Sequence, residues 1–427
     1  MQQQNITQQD LLIVGAGAAG MMCALQTAHN GLRVTLFDHA NKIGEKIRIS
    51  GGGRCNFTNL NLNHGDPSRF YLSAQPRFVR HALSRYTPDD FIHLLKRHQI
   101  DFHEKHKGQL FCTHSANDLI EMLKTECARG QVAWQIGEKI DAVQVLHHDE
   151  RPIFQLQTAS GIWQAPNLVI ATGGLAAPAI GATAWGYEIA KQFGHSVIAP
   201  QAALVPLRFE GWQEQGLDQL AGIALPVRIS TGVGKQKMCF DEDLLFRHKG
   251  LSGPAVLQIS SYWQAGQTIQ IDFCPDVDVL DKLLAGKNGS KLQLNNALKQ
   301  ICPHLPERLI LYFLSQPNIA DYAHKKWADV PSRVLQQLAQ QLKTWTLLPS
   351  GSDGHKKAEV TRGGVNVKEI DAQTMQSRLQ TGLYFIGEVM DITGWLGGYN
   401  FQWAWASGVC AAKHLIEQHF NSASNAD

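Results

Sequence analysis

Residues 11–20 read LLIVGAGAAG, a short apolar run that leads directly into Gly15, Gly17 and Gly20. A buried strand followed by G-x-G-x-x-G at the start of a helix is typical of dinucleotide-binding βαβ units. Gly15 permits a tight turn, Gly17 lets the backbone approach a pyrophosphate, and Gly20 lets the helix pack close to the strand. The pattern therefore predicts a helix whose N-terminus and positive dipole end face an anion.

The residues that follow this motif complete the unit. A helical stretch over residues 21–29 precedes a second apolar run, 32–37, which ends at Asp38. Asp38 lies eighteen residues after Gly20, where a carboxylate accepts hydrogen bonds from the ribose hydroxyls of a dinucleotide. We therefore expect nucleotide binding here; the alternative is a βαβ unit with a structural role alone.

The composition is that of an ordered globular chain with room for two or three domains. Of its 427 residues, 44% are hydrophobic and 18% are charged, and the net charge is +2. This mild positive charge does not establish a nucleic-acid partner. The first residues, MQQQNITQQD, lack the basic and apolar parts of a signal peptide, and no apolar run is long enough to span a membrane. We therefore expect a cytoplasmic protein without a membrane partner.

The eight cysteines are scattered singly and form no C-x-x-C pair. Their spacing does not match that of zinc ligands, so we predict no metal site. Scattered thiols favour a reducing compartment. Because the sequence shows no close cysteine pair, it argues against a disulfide-reductase mechanism.

The pattern of apolar residues changes twice along the chain. Short alternating runs predict a β-rich module at 196–275, and apolar residues at three- and four-residue spacing predict a helical module at 276–349. Strands and a final helix return afterwards. We therefore predict an α/β fold in which residues 1–195 and 350–427 form one discontinuous, Rossmann-like dinucleotide-binding domain, with the β-rich and α-helical modules inserted as cap domains.

A second glycine-rich segment, residues 43–59, reads IGEKIRISGGGRCNFTN. Three consecutive glycines let the backbone pass close to a bulky ligand. Lys46 and Arg54 add positive charge, and Ser50 and Asn56 add hydrogen-bonding groups. The position of this segment, directly after the βαβ unit, favours contact with the cofactor over a flexible surface loop.

A third segment, residues 385–400, reads FIGEVMDITGWLGGYN. A strand ends at Gly387 and Glu388, Asp391 follows, and a helix is predicted to begin near Asn400. The dipole of that helix would stabilise the negative charge of a reduced flavin at its N1–C2=O edge. The alternative is a turn and helix cap that does not contact a cofactor.

Several of these strings occur together in one known family. GAGAAG, SGGGRCN, LFRHKGLSGPAVLQIS, AEVTRGGV and GGYNFQWAWASG resemble the BaiN/RdsA (YhiN) family of NAD(P)/FAD-dependent oxidoreductases, and the resemblance spans almost the whole chain. It implies tightly bound FAD, a Rossmann-type flavin domain and inserted strand-rich and helical modules. One branch of the family is linked to reduction of a steroid C=C bond. Another reduces a uridine of large-subunit ribosomal RNA to dihydrouridine.

Both activities place a hydride on one carbon of an activated C=C and a proton on its neighbour, so a general acid is needed. We select Cys55, His248 and Arg362 as candidate catalytic residues. Cys55 lies beside Arg54, and a neighbouring cation can lower the pKa of a thiol; the alternative is a buried packing residue. His248 precedes a predicted helix start near Ser252; the alternative is a histidine that caps this helix or is solvated. Arg362 would hold an anionic oxygen or else form a structural ion pair.

We expect FAD to be the cofactor, and we expect NADH or NADPH to dock transiently as the electron donor. The second expectation follows because no further G-x-G-x-x-G follows a strand, so a dedicated nicotinamide domain is not predicted. The residues expected to contact FAD are Gly15, Gly17, Ala18, Ala19, Gly20, Asp38, Lys46, Ser50, Gly52, Gly53, Arg54, Asn56, Thr172, Gly173, Gly387, Glu388, Asp391, Asn400 and Gln402.

Residues 77–108 contain seven Lys/Arg and five His but four Asp/Glu. Such a stretch can form a phosphate-binding face or an ordinary solvated helix face. The basic side chains of this face are Arg77, Arg80, Arg85, Lys96, Arg97, Lys105 and Lys107. The aromatic residues expected to stack on a displaced base are Tyr71, Tyr86, Trp263 and Trp327.

Three functions remain open from the sequence. The first is FAD-dependent reduction of a uridine in large-subunit ribosomal RNA. The second applies the same flavin chemistry to a small unsaturated metabolite such as a steroid enone. The third is an FAD-binding redox sensor without turnover. The sequence does not determine the oligomeric state or the choice between NADH and NADPH.

Overall fold

The computed structural model describes residues 6–148 and 151–424, and the chain divides into two compact units. One unit combines the chain up to residue 202 with the chain from 359 onward, and the other consists of 203–358. The second unit contains the predicted helical module and most of the predicted β-rich module, of which residues 196–202 lie in the first unit. It also contains residues 350–358, which the sequence analysis assigns to the FAD-binding domain. The division between the two modules stays a prediction.

The helices and strands are as follows. Before the insert lie the strands β1 (Ile6–Gln8), β2 (Leu11–Val14), β3 (Val34–Asp38), β4 (Asn56–Asn59), β5 (Tyr71–Leu72), β6 (Phe102–Glu104), β7 (Gln109–Cys112), β8 (Ala133–Ile136), β9 (Ile140–His148), β10 (Arg151–Thr158), β11 (Gly161–Ala165), β12 (Leu168–Ile170) and β13 (Val197–Ala203). The helices of this part are α1 (Ala18–Ala28), α2 (Glu45–Ile49), α3 (Val79–Arg85), α4 (Pro88–Arg97), α5 (Ala116–Arg129) and α6 (Trp185–Gln192). The insert contains β14 (Leu207–Arg208), β15 (Ala224–Thr231), β16 (Met238–Arg247), β17 (Gly250–Ser252), β18 (Ile269–Asp272), β19 (Trp345–Leu347) and β20 (Gly351–Ser352), with α7 (Pro254–Ser260), α8 (Val279–Ala285), α9 (Leu294–Ile301), α10 (Glu307–Leu314) and α11 (Ser332–Lys343). The chain then continues with β21 (Val360–Val365), β22 (Leu383–Phe385), β23 (Thr393–Gly394) and α12 (Tyr399–Ser424).

A five-stranded parallel sheet in the order β22-β12-β2-β3-β8 forms the centre of the first unit. All four residues of β2 are buried, as expected for an inner strand of a parallel sheet that is covered on both faces. Helices α1 and α12 pack together so closely that a Cβ at Gly408 would lie 2.7 Å from the carbonyl oxygen of Ala19. The predicted α/β, Rossmann-like fold is confirmed.

The parallel direction of these strands decides where the site lies. The carboxyl ends of β2, β12 and β22 lie side by side, and the chain leaves them through Gly15, Thr172 and Gly387 respectively. Asp38 ends the neighbouring strand β3. Ligands of such sheets bind beyond the carboxyl ends of the strands, so segments far apart in the sequence meet at one edge.

The second unit contains an antiparallel sheet. Its seven strands follow the order β19-β18-β15-β16-β17-β14-β20, and each pairing that the structure describes in residues 203–358 is antiparallel. Helix α7 begins at Pro254 after Gly253, which agrees with the helix start predicted near Ser252, since proline is favoured at the first position of a helix.

Two cysteines that are distant in the sequence lie side by side in this unit. The Sγ atoms of Cys274 and Cys302 are 3.1 Å apart, and both residues are fully buried. Their mutual hydrogen bond raises the pKa of Cys274 and lowers the pKa of Cys302. The sequence shows no close cysteine pair, yet these two residues are close in space because the fold brings the end of β18 to the end of α9. Burial nevertheless keeps both thiols from a disulfide substrate, since thiol–disulfide exchange requires access to the sulfur.

A buried histidine makes the stability of the first unit depend on pH. His195 is 3% exposed; its Nε2 lies 2.7 Å from Ser377 Oγ and its Nδ1 lies 3.3 Å from Glu369 Oε2. Burial lowers the pKa of His195. Below the ordinary histidine pKa of about 6.5 the unfolded chain therefore binds a proton that the folded chain still excludes. The contribution of the neutral His195 to the free energy of unfolding is therefore fully present above that pH. It is lost as the pH falls below it.

We therefore expect the melting temperature of the protein to fall between about pH 7 and pH 5, and His195→Gln to reduce this fall. Differential scanning fluorimetry across that range measures both. His324→Gln, at an exposed position, is the matched control and should retain the wild-type pH dependence. Equal pH dependence in the wild type and in His195→Gln would contradict the assignment.

Within the described ranges, no helix combines the length and apolar character needed to cross a bilayer. The same residues contain no group of three or more His, Cys, Asp or Glu side chains arranged to hold a metal ion.

Candidate cofactor-binding site

The three glycines of the first motif differ in what surrounds them. A Cβ at Gly15 would lie 2.3 Å from the carbonyl oxygen of Ala171, and a Cβ at Gly20 would lie 1.9 Å from that of Gly15. Both glycines are therefore required by the packing of the protein itself. A Cβ at Gly17 meets nothing within 4 Å, and its φ of −88° is ordinary. The packing of the protein therefore does not require glycine at position 17, and contact of Gly17 with a nucleotide stays a prediction.

This space lies at the N-terminus of α1. Gly17 is the N-cap of the helix, and no side chain caps the first turn. Since the first N–H groups of a helix lack intrahelical partners, those of Ala18 and Ala19 are suited to an anion. Asp38 is fixed beside them, because its Oδ2 accepts a hydrogen bond from Ala16 N at 2.8 Å and its Oδ1 accepts one from Ala40 N at 2.9 Å. Each oxygen keeps a second lone pair for a hydroxyl group.

The SGGG loop that follows α2 is open on one side. Gly52 and Gly53 have φ values of 68° and 85°, and a Cβ at either position meets nothing within 4 Å. A Cβ at Gly51, in contrast, would lie 2.9 Å from the ring of Phe111. Ser50 uses its hydroxyl within the loop, donating to the Ile47 carbonyl oxygen at 2.8 Å. Gly52 and Gly53 thus resemble Gly17 in that the surrounding protein does not demand glycine by contact.

The turn after β12 has the same property. A Cβ at Gly173 meets nothing within 4 Å, and its φ is 73°. Thr172 Oγ1 is buried and has no hydrogen-bond partner among the described residues, although it faces Gly186 of α6, where an added Cβ would lie 2.2 Å from it. Contact of Thr172 with a cofactor stays a prediction.

An ion pair connects the second and third segments. Lys46 pairs with Glu388 Oε2, and Glu388 Oε1 accepts a hydrogen bond from Thr361 N at 2.8 Å. Thr361 Oγ1 in turn accepts from Leu175 N at 2.8 Å. The turns after β12 and β22 are thereby held against β21 and α2. Glu388 compensates the charge of Lys46. A phosphate that contacts Lys46 would therefore share the Lys46 ammonium group with the Glu388 carboxylate.

Other predicted contacts are engaged with the protein. Asp391 is 5% exposed and its Oδ2 accepts a hydrogen bond from Ala74 N at 2.8 Å; burial raises its pKa. Gly387 donates its N–H to Ser407 Oγ at 3.0 Å. Arg54 is exposed, and its carbonyl oxygen accepts from Cys112 N at 2.9 Å.

The amides at the start of α12 hold neighbouring segments together. Asn400 Oδ1 accepts from Gly394 N at 2.8 Å, and its Nδ2 donates to Gly394 O at 2.9 Å. Gln402 Oε1 accepts from Thr58 Oγ1 at 2.7 Å, and its Nε2 donates to Tyr86 O at 2.8 Å. Their contact with a cofactor stays a prediction. The helix start itself lies against β4, because a Cβ at Gly398 would meet Thr58 O at 2.3 Å and the side chain of Asn56 at 2.9 Å.

We expect Gln402→Leu to lower stability without lowering the amount of bound cofactor. The variant leaves the hydroxyl of Thr58 and the carbonyl of Tyr86 buried without partners, and each such group costs about 1–3 kcal/mol. Thermal unfolding and the flavin-to-protein absorbance ratio measure the two effects separately. Gln418→Leu, at an exposed position on the same helix, is the control. Loss of flavin with unchanged stability would instead assign Gln402 to the cofactor.

The three candidate catalytic residues have different surroundings. Cys55 is fully buried at the unusual φ of 47°, and burial raises the pKa of its thiol, the opposite of the shift that the adjacent Arg54 suggests from the sequence. His248 is exposed in the turn between β16 and β17 of the second unit. Arg362 lies on β21, half-buried, and its Nε donates to Gln201 Oε1 at 2.9 Å.

Most of the aromatic residues expected to stack on a base are part of the core. Tyr71, Tyr86 and Trp327 are 3%, 8% and 5% exposed, so this prediction is wrong for them. Trp263 is half-buried, and its Nε1 donates to Gln267 O at 2.7 Å. Trp395 is a further half-buried tryptophan. The sequence analysis does not select it as an aromatic that stacks on a base, although it lies in the quoted GWLGGYN string.

Comparisons with known proteins agree with this architecture. The family described as HI0933-like protein Rossmann domain matches residues 9–414. Two curated proteins named ribosomal RNA dihydrouridine synthase, from Haemophilus influenzae and Escherichia coli, are each 45% identical to the chain over 408 residues, covering 95% of the chain and 98% of the relative. A 3-dehydro-bile acid delta(4,6)-reductase from Clostridium scindens is 26% identical over 423 residues, with the same coverage. The resemblance to the BaiN/RdsA family is confirmed, and the chain belongs to the HI0933-like protein family.

Proposed function

We propose that this chain is an FAD-dependent oxidoreductase that reduces a uridine of large-subunit ribosomal RNA to dihydrouridine. The observation that carries the proposal is the 45% identity, over 95% of the chain, to two proteins named ribosomal RNA dihydrouridine synthase. The relative named as a bile-acid reductase is 26% identical over a similar length, which supports the small-metabolite alternative less.

The residues at the edge of the parallel sheet fit FAD. An added Cβ at Gly17, Gly52, Gly53 or Gly173 meets no protein atom within 4 Å, so the backbone is accessible to a bulky ligand at four points of one sheet edge and its adjoining loop. The first turn of α1 would hold the pyrophosphate, and Asp38 would accept hydrogen bonds from the ribose. When bound, FAD supplies the hydride that reduces the C=C bond.

We assign the electron donor to NADH or NADPH docking transiently. A resident nicotinamide domain would require a second parallel βαβ sheet, whereas the pairings described for residues 203–358 are antiparallel. The rates of flavin reduction by NADH and by NADPH distinguish the two nucleotides.

Among the candidate catalytic residues, Arg362 is suited to the charge that develops on the substrate. Addition of hydride to a C=C conjugated with a carbonyl moves negative charge to the carbonyl oxygen, and a guanidinium fixed nearby stabilises it. Arg362 is held by Gln201, and the preceding residue, Thr361, binds Glu388. Cys55 and His248 stay predictions for the proton donor.

The test is chemical analysis of the RNA. Large-subunit ribosomal RNA from a strain lacking the gene is digested to nucleosides and dihydrouridine is quantified by mass spectrometry. We expect loss of dihydrouridine at one position and its return when the gene is supplied; unchanged levels would contradict the proposal. Anaerobically reduced protein mixed with ribosomal RNA or with a steroid enone then separates the two substrate classes, because the true substrate reoxidises the flavin.

A further inference from the structure

A basic hairpin turn lies against the SGGG loop. Residues 105–108 join strands β6 and β7, and three of them, Lys105, His106 and Lys107, are exposed. Strand β7 pairs with β4, and the ring of Phe111 on β7 lies where a Cβ of Gly51 would approach within 2.9 Å. The Nζ atom of Lys105 is 5.7 Å from the centre of that same ring. The hairpin turn therefore carries its positive charge beside the loop that we assign to the cofactor.

The same turn is joined to the GWLGGYN loop. The carbonyl oxygen of Lys107 accepts hydrogen bonds from Asn61 Nδ2 at 3.0 Å and from Asn59 Nδ2 at 3.2 Å. Asn59 Nδ2 also donates to Gly397 O at 2.8 Å. Glu104, the acid beside the turn, is engaged in closing it, because its Oε1 accepts from Gly108 N at 3.0 Å. The turn is thus fixed in position relative to residues 394–400.

An exposed arginine and a half-buried tryptophan adjoin this loop. The guanidinium of Arg69 lies 4.5 Å from the centre of the Phe70 ring. The ring of Trp395 meets Phe70 edge to face at 5.3 Å, and Trp395 N donates to Phe70 O at 3.0 Å. One cation and one partly exposed indole are therefore held on a single aromatic support, which itself lies in the core.

We propose that Lys105, Lys107 and Arg69 form a phosphate-binding rim around residues 394–400, and that Trp395 provides the surface on which a base of single-stranded RNA stacks. This inference rests on the proposed function. An enzyme acting on a base must take it out of its stack, and proteins that hold single strands combine cationic side chains for phosphates with aromatic rings for bases. Both elements occur here beside the candidate cofactor loops.

The proposed rim includes two of the seven basic residues that the sequence analysis assigns to a phosphate-binding face. Arg80, one of the seven basic residues of that face, pairs with Asp66, which compensates its charge. Among the basic residues that the structure describes in 77–108, Lys105 and Lys107 lie on the turn that a ring contact and backbone hydrogen bonds place beside the glycine-rich loops. They are therefore the residues whose removal should change RNA binding most.

The first test removes both lysines. Lys105→Ala/Lys107→Ala is compared with Lys139→Ala/Lys191→Ala, which removes the same charge from exposed positions in the same unit. Binding of an unmodified transcript of large-subunit ribosomal RNA is measured against salt concentration, together with dihydrouridine formation and flavin content. Each phosphate contact to a single strand contributes about 0.7 to the slope of log K against log salt. We expect the slope to fall by about 1.4 in the rim variant and to stay at the wild-type value in the control.

The second test addresses Trp395. We expect Trp395→Ala to weaken RNA binding by about 5- to 150-fold, since stacking of one base contributes about 1–3 kcal/mol. We expect Trp395→Phe to restore part of the loss at unchanged flavin content. Equal salt slopes in the rim and control variants, with an unaffected Trp395→Ala, would overturn the inference. Failure of the proposed function is distinct, because the wild type would then form no dihydrouridine at all.

Discussion

Gly17→Val is expected to yield a folded, colourless protein that does not bind FAD. The backbone of Gly17, with φ −88° and ψ −167°, lies in the extended region that valine adopts readily. The added side chain meets no protein atom near its Cβ, so the fold should tolerate it. The same side chain would occupy the space in front of α1, where the pyrophosphate would contact the helix N-terminus. Flavin absorbance after incubation with excess FAD is the measurement, and circular dichroism reports the fold.

Two further glycine-to-valine variants serve as controls for this prediction. Gly351→Val introduces the same side chain at a position in the second unit where a Cβ also meets nothing within 4 Å, and it should retain full flavin. Gly20→Val places a Cβ 1.9 Å from the carbonyl oxygen of Gly15 and should prevent folding. Yellow Gly17→Val protein at full stoichiometry would contradict the assignment of the first motif to FAD.

The parallel sheet was predictable because its signals are local. The apolar run of β2, the glycines after it and Asp38 at the end of β3 all lie within residues 11–38. Strand period and turn chemistry act over a few residues, so the sequence displays them directly. The reason for each glycine was not equally visible: Gly15 and Gly20 are required by packing, whereas Gly17 faces open space.

The roles of the last segment depend on contacts that the sequence does not display. Gln402 follows a glycine-rich string, which suggests a cofactor contact, yet its amide bonds Thr58 and Tyr86, each more than 300 positions away along the chain. Cys274 and Cys302 meet only because α9 returns to β18. Each case pairs residues across a large sequence separation, and a single sequence carries no pattern that specifies such a pairing.

Arg362→Met is expected to slow reduction of the RNA about 100-fold, the loss found when one donor to a developing oxyanion is removed. Arg362 is half-buried, and its guanidinium donates a hydrogen bond to the amide oxygen of Gln201, which carries no charge. Burial lowers its pKa, but an arginine keeps its proton in proteins, so a positive charge persists in this partly desolvated position. Electrostatic stabilisation is stronger where water is excluded, which is why the effect on the rate should be large.

The measurement separates this role from a structural one. Single-turnover reoxidation of the pre-reduced protein by ribosomal RNA gives the rate of substrate reduction, and the flavin content and melting temperature report the fold. Arg362→Lys should recover part of the rate, since it keeps the charge and loses the planar fork of donors. Arg378→Met, which removes an arginine paired with Asp371 in the same unit, should leave the rate unchanged. A wild-type rate in Arg362→Met would remove Arg362 from the reaction and leave the developing charge to be stabilised by another group.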